Sequence, residues 1–520
     1  MTQLQQLQML MITILFQLCS IMPCYAEYRL HAGTEILYVT PTTNVPCPGS
    51  PCLTLSLYSW DQQTYFSTYT ELRFLSGIHR LTKQIVVEEV SNVSSLSLVG
   101  EGPGQSTIIV SGEAGFKLTG INDTRVESLH LFGSNALNIA NSSSLVMNNV
   151  QFTSVNRTVF TFENINNITG TNIILSNSAV SDAYSAGTIR LSDAAFTNTT
   201  VVNNSGNSII TIEQSNVWFK KVSIFVNNIA NKGSALTIDA SSVTFEGFTL
   251  FHSSSCKDKG GAMNIIHSTI ALSGRVELSY NTAKDGGAIQ LDQSVLVLQG
   301  IIDVSHNSVT KSTFHGQVFG GAINSFKSNI TMNIIAITFS KNHIEALFLR
   351  SFGGAISAQM STLTMSGIIG FHHNYAKSFL SYGGAIFLSN STLIATDVNF
   401  TFTNNTAQSG GALSITAILS NPLPLSQRLT TIIVEGNSLF EANVAELSAG
   451  ALYCDGPIHM QFNGNTTMTR NGGKGNVGGQ ITYKHLERMF SLLGIQKSNT
   501  PWQGSYNFSS EKCYNLVQWD

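Results

Sequence analysis

The sequence predicts an all-β fold: a right-handed parallel β-helix with three strands per turn and a small cap at each end. The chain has 520 residues, more than a single globular core uses, and only 11% of them are charged, which argues against disorder. A Gly-Gly-Ala motif recurs along the chain, and short stretches of alternating apolar residues fill the intervals. Because one repeat is too small to bury its own apolar face, the turns must stack.

Residues 1–26 are predicted to be a secretory signal peptide. Met9–Leu18 is a mostly apolar run, and Ala26 places a small residue before the expected cleavage at Glu27. No later window holds 18 continuous apolar residues, so no transmembrane span is expected. These features predict a secreted or extracellular protein, free or associated with a cell surface.

Residues 27–70 are expected to cap the first turn, with a short helix over Leu53–Phe66. Cys47 and Cys52 enclose a tight loop and are a predicted disulfide in an oxidising compartment. Cys454 is expected to be a buried thiol, although its pairing with Cys256 or Cys513 stays open. No Cys/His group has zinc spacing, and neither a metal nor a cofactor is predicted.

Thirteen Asn-x-Ser/Thr sequons give mild further support for secretion, since composition alone predicts about 9. The predicted glycosylation sites are Asn92, Asn122, Asn141, Asn156, Asn167, Asn198, Asn203, Asn329, Asn390, Asn399, Asn404, Asn465 and Asn507.

The repeats place the β-helix at residues 71–483. Fourteen repeat starts lie mostly 21 to 34 residues apart, which is typical of a solenoid with insertions. Residues Ala288–Asn307 illustrate one turn, with three alternating stretches of about four residues. Positions one and three after each start are predicted to point inward, as Ile189 and Leu191 do for the start at Thr188. Residues 484–520 are expected to form a C-terminal cap or tail, with helical spacing over Tyr483–Leu493.

Each turn ends in Phe-x-x-Asn or a close variant. Asparagine tolerates a left-handed corner, and its amide is able to bond to the same corner of the next turn. The predicted ladder consists of Asn228, Asn281, Asn307, Asn342, Asn374, Asn405 and Asn443, with Ser254 replacing asparagine in one turn. The Gly pair serves the next corner, where a Cβ would obstruct the bend or the neighbouring turn.

The alternation of Gly-Gly-Ala with Phe-x-x-Asn over Gly233–Ile481 resembles the repeats of the polymorphic outer-membrane protein family. That resemblance implies a right-handed parallel β-helix with an adhesive function. Similar repeats occur in secreted eukaryotic β-helix proteins, which this chain resembles more closely.

Two functions from different classes are compatible with the sequence. The first is a non-catalytic recognition or adhesion scaffold, with no enzyme activity; its partner is an extracellular protein or glycan. The alternative is a polysaccharide lyase or glycoside hydrolase of the same fold, for which Glu277 and Asp303 on adjacent turns are the weak catalytic candidates. The formal net charge of −3 offers no basic field for nucleic acid.

Three consecutive turns carry insertions between the corner asparagine and the next Gly pair, over Ser308–Phe319, His343–Phe352 and Tyr375–Tyr382. As loops leaving one corner, they should cluster along one edge of the rod. Exposed aromatic residues with an arginine are typical of recognition sites, whereas rings that bury one another would form only a satellite core. The candidate binding residues are Phe314, His315, Phe319, Phe348, Arg350, Phe352, Phe379 and Tyr382.

Overall fold

The computed structural model describes residues 36–40, 52–54, 70–87, 94–112, 114–181, 183–231, 233–310, 316–416, 430–455, 458–473, 481–483 and 506–508. The predicted signal peptide and Cys47 lie outside these residues, as do most of both predicted terminal helices. At their described ends, Cys52–Thr54 and Ile481–Tyr483 are strands, not helix.

The predicted parallel β-helix is confirmed. Its strands form a 34-stranded sheet and a 13-stranded sheet, in which every strand except Tyr506–Phe508 pairs in parallel with a strand of a neighbouring turn. The N-terminal turns consist of short separate strands, at Ile36–Thr40, Cys52–Thr54, Glu71–Phe74, Gly77–Leu81, Gln84–Val87, Ser95–Gly100, Ser106–Val110, Gly115–Thr119, Asp123–Glu127 and His130–Gly133.

Beyond residue 136 the strands of a turn merge: all three run together as one bent strand in Leu137–Thr153 and Phe160–Ser176, and the second and third strands do so in the later turns. These long strands are Leu137–Thr153, Phe160–Ser176, Asp193–Val202, Asn216–Val226, Ser242–His252, Thr269–Ser279, Val295–Ser305, Asn329–Ser340, Thr362–His372, Thr392–Thr403, Thr430–Glu441 and Ile458–Thr469. The separate first strands are Ser185–Arg190, Ser208–Glu213, Leu236–Asp239, Met263–Ile266, Ile289–Asp292, Ile323–Phe326, Ile356–Gln359, Ile386–Ser389, Leu413–Thr416, Leu452–Asp455 and Ile481–Tyr483.

A second sheet follows the corner asparagines, where the sequence predicted only corners and loops. Its strands are Val155–Asn156, Ala179–Val180, Ser205–Gly206, Ile229–Ala230, Ser255–Cys256, Thr282–Ala283, Ser308–Thr310, Gln317–Phe319, His343–Phe352, Tyr375–Tyr382, Thr406–Ser409, Val444–Ser448 and Gly472–Gly473. Near the C-terminus, Tyr506–Phe508 pairs antiparallel with Gly464–Thr466 at the open end of the long-strand sheet.

The inward rows form one continuous apolar core that extends from Leu37 to Met468. The prediction that Leu191 points inward is wrong, because this residue is 46% exposed and has a positive φ. Its turn starts at Ala186, and Gly187 occupies the inward position beside Phe160. A Cβ at Gly187 would overlap the Phe160 ring, so this ring fills the space that an apolar side chain takes in other turns.

The corner asparagines form a buried ladder of side-chain hydrogen bonds from Asn281 to Asn471. Within it, the Oδ1 of Asn342 accepts hydrogen bonds from both the backbone N and the Nδ2 of Asn307, each at 3.0 Å. The Nδ2 of Asn342 donates to Val304 O at 2.7 Å and to Asn374 Oδ1 at 3.0 Å. Every polar atom of this side chain is therefore paired in a dry interior.

The two glycines of each pair have different roles. Gly320 has a φ of 61°, a left-handed conformation that glycine adopts without a Cβ penalty. A Cβ on the next residue, Gly321, would overlap the carbonyl oxygen of Gly354 one turn away. The first glycine therefore makes the bend and the second permits the close approach of neighbouring turns.

The described cysteines that were left open lie in different parts of the fold. Cys256 packs beside Ala230 and Ala283 under the second sheet, and burial raises the pKa of its thiol to about 11. Cys454 lies in the main core. Over the described ranges, none of the sequon asparagines is buried, and no helix has the length and apolarity needed to cross a membrane.

Candidate functional site

The three predicted insertions build a projection of the second sheet, which we call the flange: Gln317–Phe319, His343–Phe352 and Tyr375–Tyr382. These segments are strands rather than loops, and they pair with one another in parallel. Beneath them, Val309, Val318, Ile344 and Ala346 form a small apolar cluster. The flange is therefore a folded extension with a satellite core.

Irregular pairing lifts part of the flange away from the rod. In the pairing of Tyr375–Tyr382 with Thr406–Ser409, residues 376–381 stand opposite residues 407–408. The extra residues form an arch. The side chain of Gln408 ties the arch down through a Nε2 bond of 2.9 Å to Ser378 O, and Ser381 Oγ accepts from the Gln408 backbone at 2.8 Å. These two bonds connect the arch to the strand of the neighbouring turn.

The structure divides the predicted binding residues into two groups. Phe319 stacks on Phe352 with ring centroids 5.1 Å apart, and Phe352 stacks on Tyr382 at 5.6 Å. Phe352 is only 9% exposed and also contacts Phe387. These three predicted binding residues form a stacked column, and this column packs against the rod.

The other group consists of Phe379 and Arg350, which we call the crest of the flange. Phe379 is 70% exposed, the largest exposed fraction of any large apolar side chain in the described chain. Arg350 is exposed and pairs in register with Leu380, the neighbour of Phe379. Phe314 and His315 lie outside the described residues, and the placement of the Phe348 side chain is not described.

The two weak catalytic candidates are neighbours in register, Glu277 beside Asp303. Partial desolvation, together with the charge of Glu277, raises the pKa of Asp303. However, each carboxylate accepts a hydrogen bond from a serine on its own strand, Ser279 at 2.8 Å and Ser305 at 3.3 Å. The adjoining members of this column are Leu250 and Thr338, so no further acid extends the pair.

A shallow groove of about 430 Å³ on the first-strand face is the second location that we consider as a catalytic site. Its floor includes Thr188, Thr211 and Thr237, which are paired in register. Its lining holds one carboxylate, Glu213, whose Oε2 lies 3.7 Å from the Nε of Arg190. Glycoside hydrolysis generally needs two carboxylates across the scissile bond. Throughout the described part of the chain, no group of three or more His, Cys, Asp or Glu side chains is placed to hold a metal.

Two rows of residues that repeat from turn to turn were not predicted from the sequence. A buried serine ladder runs beside the first strands, in which Ser268 N donates to Ser294 Oγ at 3.1 Å and Ser294 N donates to Ser328 Oγ at 3.0 Å. The signal was a serine two residues after each of eight successive first strands, from Ser192 to Ser391. The second row is the residue before each corner asparagine, which includes His306 and His373.

Comparison with known proteins identifies the repeat type. The family model of the Chlamydia polymorphic membrane protein (Chlamydia_PMP) repeat matches residues 399–416. No curated protein matches the chain significantly. Among solved structures, the catalytic domain of a GH87 alpha-1,3-glucanase in complex with nigerose aligns at 11% identity and a TM-score of 0.23, over 65% of this chain and 66% of that domain.

The short family match falls on a Phe-Thr-Asn-Asn corner, a second-sheet strand and the following Gly-Gly-Ala bend. The same unit recurs through the stacked turns of the parallel sheets. The chain is a parallel β-helix protein with repeats like those of the polymorphic membrane protein family.

Proposed function

We propose that this chain is a secreted or cell-surface recognition scaffold that binds an extracellular protein or glycan through the crest of the flange. The observation that carries the proposal is the arch that holds Phe379, 70% exposed, next in sequence to Leu380, which pairs in register with the exposed Arg350. Aromatic and arginine side chains dominate the energetics of recognition surfaces. The neighbouring turn closes with the four-residue strand Thr406–Ser409, so closure of the helix does not require the arch.

Rigidity supports this assignment. A flexible loop would lose conformational entropy on binding, whereas the bonds from Gln408 and the stacked column beneath it already fix the arch. An exposed phenylalanine in a fixed position loses water when a partner covers it, and the nearby guanidinium provides directional hydrogen bonds.

Replacing Phe379 with serine should abolish binding to the partner without unfolding the protein. The substitution removes an exposed ring, so the free energy of unfolding should change by no more than about 0.5 kcal/mol. Binding should be measured on arrays of purified glycans and purified extracellular-matrix proteins, and stability by chemical denaturation.

Ile335→Ser is the matched control, because Ile335 is 69% exposed and lies on a long strand outside the flange. Ile335→Ser should bind every array member that the parent protein binds. If the Phe379→Ser variant binds as well as the parent protein, the crest of the flange is not the binding site.

We further propose that the chain acts without catalysis. Glu277 and Asp303 each accept a serine hydrogen bond, and the groove lining holds a single carboxylate beside an arginine. Incubation with uronate-containing, sulfated and neutral polysaccharides should therefore release no reducing ends or unsaturated products. Depolymerisation that is lost in both Glu277→Gln and Asp303→Asn would show instead that the chain is an enzyme.

A further inference from the structure

The residues that precede the corner asparagines form an outward column. From turn to turn this column holds Asn227, Ser253, Tyr280, His306, Lys341, His373, Asn404, Ala442 and Arg470. All have φ between 52° and 57°, a left-handed conformation in which asparagine and histidine are enriched and tyrosine and lysine are uncommon. Four consecutive turns nevertheless carry Tyr280, His306, Lys341 and His373. The corner backbone does not require these particular side chains, because Asn227, Ser253 and Ala442 adopt the same conformation in other turns.

The side chains on the two sides of the asparagine ladder are organised into stacks. The rings of Tyr280 and His306 lie 4.5 Å apart at 10°, and those of His343 and Tyr375 lie 4.8 Å apart at 13°. We call this surface the histidine edge, and it comprises Tyr280, His306, Lys341, His343, His373 and Tyr375. Tyr280 is 40% exposed, and Lys341 and His373 are exposed. With His252 and His372 nearby, five of the chain's 12 histidines lie along this edge.

The acidic groups near the histidine edge already have hydrogen-bond partners. Glu345 accepts a bond of 3.2 Å from the hydroxyl of Tyr375, and Glu277 and Asp303 accept bonds from serines. The two flanking histidines are also occupied, since His252 bonds to Ser279 at 2.9 Å and His372 bonds to Thr403 at 2.6 Å.

We propose that the histidine edge binds an acidic polysaccharide, carboxylated or sulfated, and that binding strengthens as the imidazoles become protonated. Because the stacked rings cover one another's faces, they present their edges to a ligand on this surface, where imidazolium and ammonium groups bond to its acid groups. His306 and His373 are two turns apart, about 10 Å along the rod. The ligand would therefore lie along the rod axis and contact several turns.

The direction of the pH dependence follows from the surroundings. Burial, and then the positive charges of Lys341 and His343, lower the pKa of His306 from its usual value near 6.5. Because its pKa lies below its usual value, the imidazolium form of His306 accumulates only on acidification below about 6.5.

Binding of dextran sulfate, with unmodified dextran of equal length as the neutral probe, tests this inference. By surface plasmon resonance, the parent protein should bind dextran sulfate about tenfold more tightly at pH 5.5 than at pH 7.5. The triple variant His306→Asn, Lys341→Asn and His373→Asn should lose that difference. Its fold should be kept, because asparagine occupies the same column at Asn227 and Asn404.

Arg470→Asn is the control, because it removes a positive charge from the same column outside the histidine edge. This variant should bind dextran sulfate within about twofold of the parent. Undiminished binding by the triple variant, equal binding of neutral dextran, or an equal loss in Arg470→Asn would each overturn the inference. Phe379→Ser should leave dextran sulfate binding unchanged, so the inference and the flange proposal fail separately.

Discussion

Replacing Asn342 with alanine should lower the free energy of unfolding by about 3 kcal/mol. The change leaves the backbone N and the Nδ2 of Asn307 without their acceptor, and it removes the donor to Val304 O. All of these atoms belong to the buried ladder, where water does not replace the lost bonds. Chemical denaturation gives the stability change, and hydrogen exchange should show faster exchange at the amide of Asn307.

A substitution in the opposite direction, which introduces an asparagine into the ladder, serves as a control. Ser254 occupies the ladder position between Asn228 and Asn281, and its Oγ is buried without a hydrogen-bond partner. Ser254→Asn should extend the ladder and stabilise the protein by about 1 kcal/mol. An unchanged stability in both variants would show that the ladder contributes little.

Replacing Gly321 with alanine should destabilise the protein by about 3 kcal/mol or prevent its folding. The added Cβ would overlap the carbonyl oxygen of Gly354 and lie 2.8 Å from the backbone N of His343. Both contacts are with backbone atoms of neighbouring turns, so relief requires the stack to open. The measurement is the denaturation midpoint by far-UV circular dichroism.

Gly104→Ala is the matched control, since a Cβ at Gly104 would meet no atom within 4 Å. It should stay within about 0.5 kcal/mol of the parent. If Gly321→Ala is equally mild, the turns are not in close contact at this corner.

The sequence predicted the repeat well because its two motifs answer to local backbone requirements. The Gly pair and the corner asparagine each occupy a conformation or a contact that few other residues satisfy, so their spacing reveals the turns. The start at Thr188 was misplaced because Gly187 occupies an inward position while the ring of Phe160 supplies the apolar volume. Apolar periodicity does not show a cavity that a neighbouring turn fills.

The candidate site was less predictable because its exposure depends on pairing between turns. Phe352 and Phe379 are both phenylalanines within inserted segments, yet one is 9% exposed and the other is 70% exposed. The irregular pairing around Phe379 arises because strands in adjacent turns have unequal lengths. The spacing of residues along the chain does not show how such strands pair. The histidine edge was missed for a related reason, since its members on successive turns are about 26 to 35 residues apart in sequence and meet only in the stacked helix.

A site-specific photo-crosslinker tests the central claim, recognition through the crest of the flange, most directly. The crosslinking residue should be placed at position 379 in one variant and at position 335, where the native side chain is equally exposed, in another. Each variant is irradiated with the purified glycans and matrix proteins that the parent protein binds on the arrays. The account predicts covalent adducts from position 379 and none from position 335. Adducts from position 335 alone, or equal yields from both positions, would contradict it.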